Sequence, residues 1–389
     1  VTGERPTPVV HVITKLELGG AQQNTLHTVA SLDRARFAPH LVCGVGGMLD
    51  DEARALADVE LTFLPQLVRP IQPLKDLSAV RRLAALLRPL AAQGPVIVHT
   101  HSSKAGIVGR AAARLAGAGP VVHSIHGFGH GAIANPLLRR LTLSTERLMA
   151  GCTDAFIAVS ECNRREGEAL RLLGGRPCEI IRSGIDLEDF ARADGLRAQA
   201  RASLGYDDDV PVVGMVACLK PQKAPLDFVE LARLVCEQVP EARFFVAGDG
   251  ELRGQVEAGL AAHGLGDKVQ LLGWRRDVAA LLGALDVAVL TSRWEGLPRV
   301  CPQAMAAGRP MVATAVDGTP EAIVHGQSGF LVEPGDMAAA AERVICLLRD
   351  VHLREQFGRE GRAGSVPFGQ DEMIARQEAL YEKLLKERV

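Results

Sequence analysis

The segment Thr291-Ser292-Arg293-Trp294-Glu295-Gly296-Leu297-Pro298-Arg299-Val300-Cys301-Pro302-Gln303 sets a carboxylate and an amide eight residues apart. Glu295 lies in a loop after the apolar run Asp286–Leu290, and Gly296 lets a ligand come close to the backbone. A helix must start between Pro298 and Pro302, because proline is tolerated only in a first helical turn. Its free N–H groups suit a phosphate, while Gln303, about one turn in, can reach sugar hydroxyls. A second loop, Cys218-Leu219-Lys220-Pro221-Gln222-Lys223, follows the run Val210–Ala217. Two lysines three apart between a strand and a helix suit a diphosphate; the alternative is two solvated surface cations.

Three further loops carry polar groups at strand ends. Gly19-Gly20 follows Val9–Ile13 and opens a helix, which makes either an anion-binding turn or a plain tight turn. It is not G-x-G-x-x-G, and no acidic residue stands where a dinucleotide fold reads ribose. His99-Thr100-His101-Ser102-Ser103-Lys104 offers Ser102 and Ser103 to a ligand, although helix capping by these serines beside a satisfied histidine is the simpler reading. His123-Ser124-Ile125-His126-Gly127-Phe128-Gly129-His130 holds three histidines; His123 reads as structural, and His126 at the strand end can reach a ligand. No carboxylate or cysteine completes a metal set beside them, so no metal is expected.

These loops need rigid elements to aim them. Val9–Ile13, His40–Val45, Val96–His99, Val121–Ser124 and Asp154–Ser160 read as buried strands, alternating with helical stretches such as Gln22–Leu32, Leu74–Ala92 and Lys104–Ala116. The pattern breaks at Arg182-Ser183-Gly184-Ile185-Asp186, passes through the charged, Ala-rich stretch Leu187–Tyr206, and restarts. Val210–Ala217, Ala242–Ala247, Lys268–Leu272, Asp286–Leu290, Pro310–Ala313 and Gly329–Val332 are the second set of strands. The expected fold is α/β: two Rossmann-like, doubly wound domains, 1–186 and 187–367, with a last helix within 368–389 crossing back to the first. Ligands of such sheets bind beyond the carboxyl ends of the strands, so two facing sheets would make one cleft.

Composition narrows the class. A chain of 389 residues with 47% hydrophobic content fills two cores. Lys plus Arg, 44, nearly balances Asp plus Glu, 46, which leaves no global footprint for nucleic acid. The eight cysteines form no C-x-x-C pair and read as small buried hydrophobes of a reducing cytoplasm. No apolar run approaches a membrane span, and polar Val1–Pro8 is no signal peptide, so a cytoplasmic protein with at most peripheral contact to the cytoplasmic membrane face is expected. Pro136–Ala150 carries Arg139, Arg140 and Arg147 among leucines; packing on the first sheet is the favoured reading and contact with anionic lipid the alternative. Asp207-Asp208-Asp209 precedes a strand, on the wrong edge for a ligand site, and reads as a solvated turn.

Taken in order, the loops resemble those of the retaining glycosyltransferases of family 4, which have the GT-B fold. The Glu295–Gln303 segment resembles their E-x7-E region. The likeness extends over nearly the whole chain, through Gly19-Gly20, His126-Gly127-Phe128, Ser183-Gly184-Ile185-Asp186, Lys223, Gly248-Asp249-Gly250, Gly273-Trp274-Arg275-Arg276-Asp277, Asp317-Gly318-Thr319-Pro320-Glu321 and Gly326-Gln327-Ser328-Gly329.

The resemblance implies transfer of a hexose from a nucleotide-diphosphate sugar, with retention and without a metal or other cofactor, in glycan, polysaccharide or glycolipid synthesis. It implies Glu295, His126 and Lys223 as the catalytic set: Glu295 on the donor sugar, Lys223 on the diphosphate, His126 beside the transferred sugar. Gly20 would meet the phosphates, with Gly19 before it. Gln303 would hold the ribose, and Trp274 and Arg275 the base. Gly248, Lys220 and the Gly296-Leu297-Pro298-Arg299 run complete the donor side, and Ser102, Ser103 and His126 the acceptor side. Two positions depart from the family pattern: Cys218 stands where an arginine is usual, and Gln303 where a second glutamate is usual. Lys220 is the candidate to replace the lost cation. The same departures leave room for an inactive nucleotide-sugar-binding homologue, and the fold alone leaves room for a sugar-phosphate phosphorylase or synthase.

Overall fold

The computed structural model describes residues 5–129, 133 and 135–388. The chain divides into two units: residues up to Gly184 together with those from Gln370 onward, and Ile185–Gly369.

The first unit holds a seven-stranded parallel sheet in the order β3-β2-β1-β4-β5-β6-β7. Its strands are β1 (Thr7–Ile13), β2 (Phe37–Cys43), β3 (Glu60–Phe63), β4 (Ile97–His101), β5 (Val121–Ile125), β6 (Ala155–Ala158) and β7 (Cys178–Ile180). The central strands are buried on both faces, which is why they read as almost unbroken β-branched runs. On one face Val10, Val12 and Val98 pack with Leu83, Leu87 and Val108 from the helices Pro73–Ala91 and Ser103–Ala116. Val9, Ile97 and Val122 belong to a second cluster with Met373, Leu380, Tyr381 and Leu384 of helix Gln370–Lys386. That last helix is therefore part of the first core. Arg36, itself oriented by Asp33, pins it from outside through ion pairs to Glu378 and Glu382.

The second unit holds a six-stranded parallel sheet in the order β10-β9-β8-β11-β12-β13. Its strands are β8 (Val212–Val216), β9 (Arg243–Ala247), β10 (Val269–Gly273), β11 (Val287–Leu290), β12 (Met311–Thr314) and β13 (Gly329–Val332). Leu187–Tyr206 is not one helical stretch. It forms helices Leu187–Ala191 and Ala193–Leu204, hinged at Arg192. Asp207-Asp208-Asp209 is an exposed turn whose Asp207 and Asp208 carbonyls accept hydrogen bonds from Arg201 at 2.9 and 2.8 Å.

Both sheets reverse strand order once, between β1 and β4 in the first unit and between β8 and β11 in the second. At such a reversal the two following loops diverge and open a crevice at the carboxyl edge. The loops in question hold Gly19 and Ser102 in one unit, Lys223 and Glu295 in the other.

Three expectations need correction. Of the cysteines only Cys43 and Cys301 are fully buried and Cys346 is exposed; all eight are free thiols. Helix Pro136–Ala150 does not pack on the first sheet as an ordinary amphipathic helix, since Ala150 is its one fully buried residue. Ser102 does occupy the N-cap of helix Ser103–Ala116, but its side chain caps nothing; it shares a hydrogen bond with Thr14 Oγ1 at 3.2 Å, tying the β1 and β4 loops together. No helix among the described residues is long and apolar enough to cross a membrane.

Candidate active site

In the second unit the loops after β8 and β11 are locked to each other. Thr291 Oγ1–H donates to the carbonyls of Lys223, at 2.8 Å, and Ala224, at 3.1 Å. Arg293 N–H donates to Gln222 O at 2.7 Å, and Gln222 Nε2 returns a bond to Trp294 O at 3.0 Å. The outcome is that Lys223 Nζ forms an ion pair with Glu295 Oε1. Their side chains are 16% and 6% exposed, so this pair is shielded from salt and is held in one geometry.

Glu295 is fixed from three sides. Ser292 Oγ–H donates to Oε1 at 2.5 Å, Gln222 Nε2 lies 3.4 Å from Oε2, and the Glu295 N–H donates to Asp317 Oδ2 at 2.6 Å. Asp317 itself sits at a φ of 44°, a strained conformation for a residue with a side chain. Burial raises its pKa above the ordinary carboxylate value. Sequence reasoning missed Ser292, Gln222 and Asp317 as site residues. The signal was their place inside the same loops as Lys223, Glu295 and the Asp317-Gly318 turn.

The other donor-side candidates lie in the same unit, on the loops that follow β8, β9, β10 and β11 and on helix Val300–Ala306. Gly248 ends β9 with a φ of 146°, and a Cβ there would meet the Ala217 carbonyl at 2.0 Å, so only glycine lets the β8 and β9 loops close. Trp274 is 40% exposed at the end of β10, an open stacking surface. Arg275 is held by Asp277, with Nε 2.8 Å from Oδ1. Gly296, Leu297 and Pro298 are buried beneath the loop. Arg299 is half-buried, and burial pulls its pKa down to about 10. Helix Val300–Ala306, which follows the Glu295 loop, has seven residues and no side-chain cap at its amino end. Gln303 is half-exposed on that helix. Lys220 is half-buried one residue before the turn Pro221–Lys223, and no ion-pair partner for it occurs among the described residues.

In the first unit Gly19 is the N-cap of helix Gly20–Ser31, which has neither a side-chain cap nor an acidic residue in its first turn. Its leading N–H groups therefore have no side-chain acceptor from the cap residue. The histidines form a chain. His11 Nδ1 bonds His101 Nε2 at 3.0 Å, and His101 Nδ1 bonds His126 Nε2 at 3.1 Å. Burial holds His126 down to about 4 and His11 to about 3, so these rings are neutral at pH 7. A neutral His126 ring can position a hydroxyl, and burial opposes its carrying positive charge. His123 is structural, as its place in the strand implies, and shares a bond with Thr100 at 2.9 Å. His130 lies outside the described residues.

A histidine cluster does exist, outside the His123–His130 run: it joins His99 and His101 of the earlier strand-end run to His11 of β1. His11, His99 and His101 bring one ring nitrogen each within 4.8 Å of the others. His99 uses both nitrogens, on Tyr381 Oη at 2.6 Å and Ser124 Oγ at 2.7 Å, and His101 uses both on His11 and His126. A cation could bind there only by displacing those bonds.

Comparison with known proteins identifies the family and the fold. Residues 18–189 match the model of Glycosyltransferase Family 4, and residues 197–364 that of Glycosyl transferases group 1. A UDP-Gal:alpha-D-GlcNAc-diphosphoundecaprenol alpha-1,3-galactosyltransferase of Escherichia coli is 34% identical over 351 residues, 88% of either chain. Among solved structures, HepE of Anabaena in complex with UDP-glucose aligns with a TM-score of 0.79 at 22% identity, covering 97% of this chain and 100% of HepE. Sucrose-phosphate synthase of Thermosynechococcus elongatus aligns at 0.79 with 19% identity, over 98% of this chain and 100% of its own. The chain belongs to glycosyltransferase family 4 and has the GT-B fold.

Proposed function

We propose that the protein moves a hexose from a UDP-hexose, with retention and without a divalent cation, onto a saccharide carried by a polyprenyl diphosphate. The observation that carries this is the shielded Lys223–Glu295 pair at the β8/β11 reversal. It joins a cation for the leaving diphosphate to a carboxylate for the sugar hydroxyls. The UDP-hexose and the lipid-linked acceptor follow the name of the Escherichia coli relative.

As the bond from the anomeric carbon to the diphosphate breaks, charge grows on the departing oxygen, and Lys223 stabilises it. The acceptor hydroxyl adds from the same face and its proton passes to that departing oxygen, giving the glycoside and UDP. Glu295, held by Ser292, Gln222 and the Asp317 carboxylate, orients the sugar. No step calls on a protein nucleophile.

The test is transfer by purified protein from UDP-hexoses to GlcNAc-diphosphate-polyprenol in detergent, with and without excess chelator. Turnover should be unchanged by chelation. Loss on chelation, restored by magnesium or manganese, would overturn the cation-free reading. Donor binding without transfer or hydrolysis would favour an inactive homologue.

Gln303 gives a separate prediction. An amide can accept from one ribose hydroxyl and donate to the other, but the ribose does not change during transfer. Gln303→Ala should raise the donor KM by about 3–10-fold, the worth of a neutral hydrogen bond, and leave kcat within about twofold. Gln303→Glu should keep or lower the donor KM. Steady-state kinetics on the two variants checks both.

A further inference from the structure

We propose that a cavity in the first unit takes the hydrocarbon of the acceptor lipid, and that helix Pro136–Ala150 seats the protein on the bilayer that holds it. The proposal rests on the lipid-linked acceptor argued above.

The cavity has a volume of about 740 Å³. Its wall is aliphatic, with Ile71, Leu77, Val80, Ile107, Leu138 and Leu141 among its lining residues. Its polar lining includes Ser102, Ser103 and His126, just beyond the carboxyl ends of β4 and β5, and Asp76 and Glu146, whose charges are met by Lys104 and Arg110. A saccharide alone has little use for the aliphatic wall, because burying its hydroxyls against leucine leaves them without partners. A polyprenyl chain with a sugar diphosphate at its head suits both kinds of lining, and Arg69 offers the diphosphate a cation.

The helix that forms one side of the cavity is itself unpartnered on its outer side. Leu137, Leu141 and Leu148 fall on one stripe and are 75%, 63% and 70% exposed. Ile71, which also lines the cavity, is 66% exposed, and Leu74, in the first turn of helix Pro73–Ala91, is 86% exposed. Apolar side chains at this density mark an interaction surface, and exposed arginines beside them, Arg139, Arg140 and Arg147, suit anionic headgroups. The helix is firmly mounted. Asn135 Oδ1 caps it by accepting from Leu137 N–H at 2.9 Å and Leu138 N–H at 3.1 Å. Glu146 meets the fully buried Arg110 of helix Ser103–Ala116 at 2.5 Å. A leucine face that borders an apolar-walled cavity would let a lipid pass from bilayer to site without crossing water.

The test compares GlcNAc-diphosphate on a long polyprenyl chain with the same headgroup on a single isoprene unit. For the unaltered protein the long-chain KM should be lower by at least ~10-fold, since each buried methylene adds to binding. Ile107→Trp, which fills the cavity, should bring the ratio of the two KM values close to one. Leu137→Glu with Leu148→Glu should abolish co-sedimentation with phosphatidylglycerol vesicles at an unchanged thermal melting point. Equal KM values for the two chains in the unaltered protein would overturn the proposal while leaving the lipid-linked acceptor reading intact, as would a ratio that Ile107→Trp does not move. Vesicle binding that survives the double leucine variant would overturn the seat. Transfer to neither acceptor would instead sink the acceptor reading and this proposal with it.

Discussion

Lys223→Ala should lower kcat by ~10²–10³-fold, the usual loss when one preorganised charge-stabilising donor is removed from a leaving group. The ammonium acts on charge that grows during reaction, so the loss falls on turnover as well as on donor affinity. The structure adds a second consequence. Lys223 is the ion-pair partner of Glu295, and its removal leaves that carboxylate nearly buried, with only Ser292 and Gln222 as side-chain donors. Part of the cost is therefore borne by Glu295. Lys223→Arg keeps the charge but cannot place a planar guanidinium where an ammonium meets one carboxylate oxygen, so it should recover only part of the rate. Glu295→Gln separates the two roles. It keeps the shape that orients the sugar and frees Lys223 from its competitor, so nucleotide affinity should hold or rise while kcat falls. Steady-state kinetics with calorimetric UDP titration decides between them. Full activity in Lys223→Ala would show that the diphosphate is held elsewhere, with Lys220 the first residue to change.

How much of this could be read from the chain follows from how far each feature reaches along it. The central strands were legible because a strand buried on both faces needs a β-branched run, and Val9–Ile13 or Val212–Val216 can be little else. Strands β3 and β7 were not, because short edge strands such as Glu60–Phe63 and Cys178–Ile180 are only half-buried and carry polar residues. Lys223 and Glu295 could each be named from their loops. That they touch depends on β8 lying beside β11, which no local pattern states. The same holds for His11, which looks like one more residue of a strand until β4 is laid beside it and His101 comes within bonding distance. Helix Pro136–Ala150 shows the limit of an amphipathic pattern. The pattern told of an apolar stripe and a basic side, but the protein covers the stripe with almost nothing.

The largest effect on stability should come from Asp286, which the sequence shows only as the first residue of a strand. Its carboxylate joins Arg197 at 2.7 Å, the fully buried Arg201 at 2.8 Å and the Val212 N–H at 2.8 Å. Arg201 in turn donates to the carbonyls of Ala284, Asp207, Asp208 and Val210, so one side chain ties helix Ala193–Leu204 to the amino ends of β8 and β11. Burial pushes the Arg201 pKa down, and the charge of the Asp286 carboxylate opposes this. Asp286→Ala leaves a guanidinium in the core without its counter-charge, which costs about 3–5 kcal/mol. Asp286→Asn should cost nearly as much, because the amide keeps the shape and loses the charge. Adding Arg201→Met to Asp286→Ala should restore part of the loss, since the fully buried charge is then gone and only the partly exposed Arg197 is left without its carboxylate, although the four carbonyls would lose their donor. Urea denaturation of the three variants gives these differences directly. A kinetic measurement separates this network from the catalytic one. Asp286 stands at the amino edge of its sheet and the Lys223–Glu295 pair at the carboxyl edge. Asp286→Asn assayed well below its melting point should therefore keep the donor KM and kcat of the unaltered protein. A variant that loses turnover while still fully folded would mean that the two edges of this sheet are coupled.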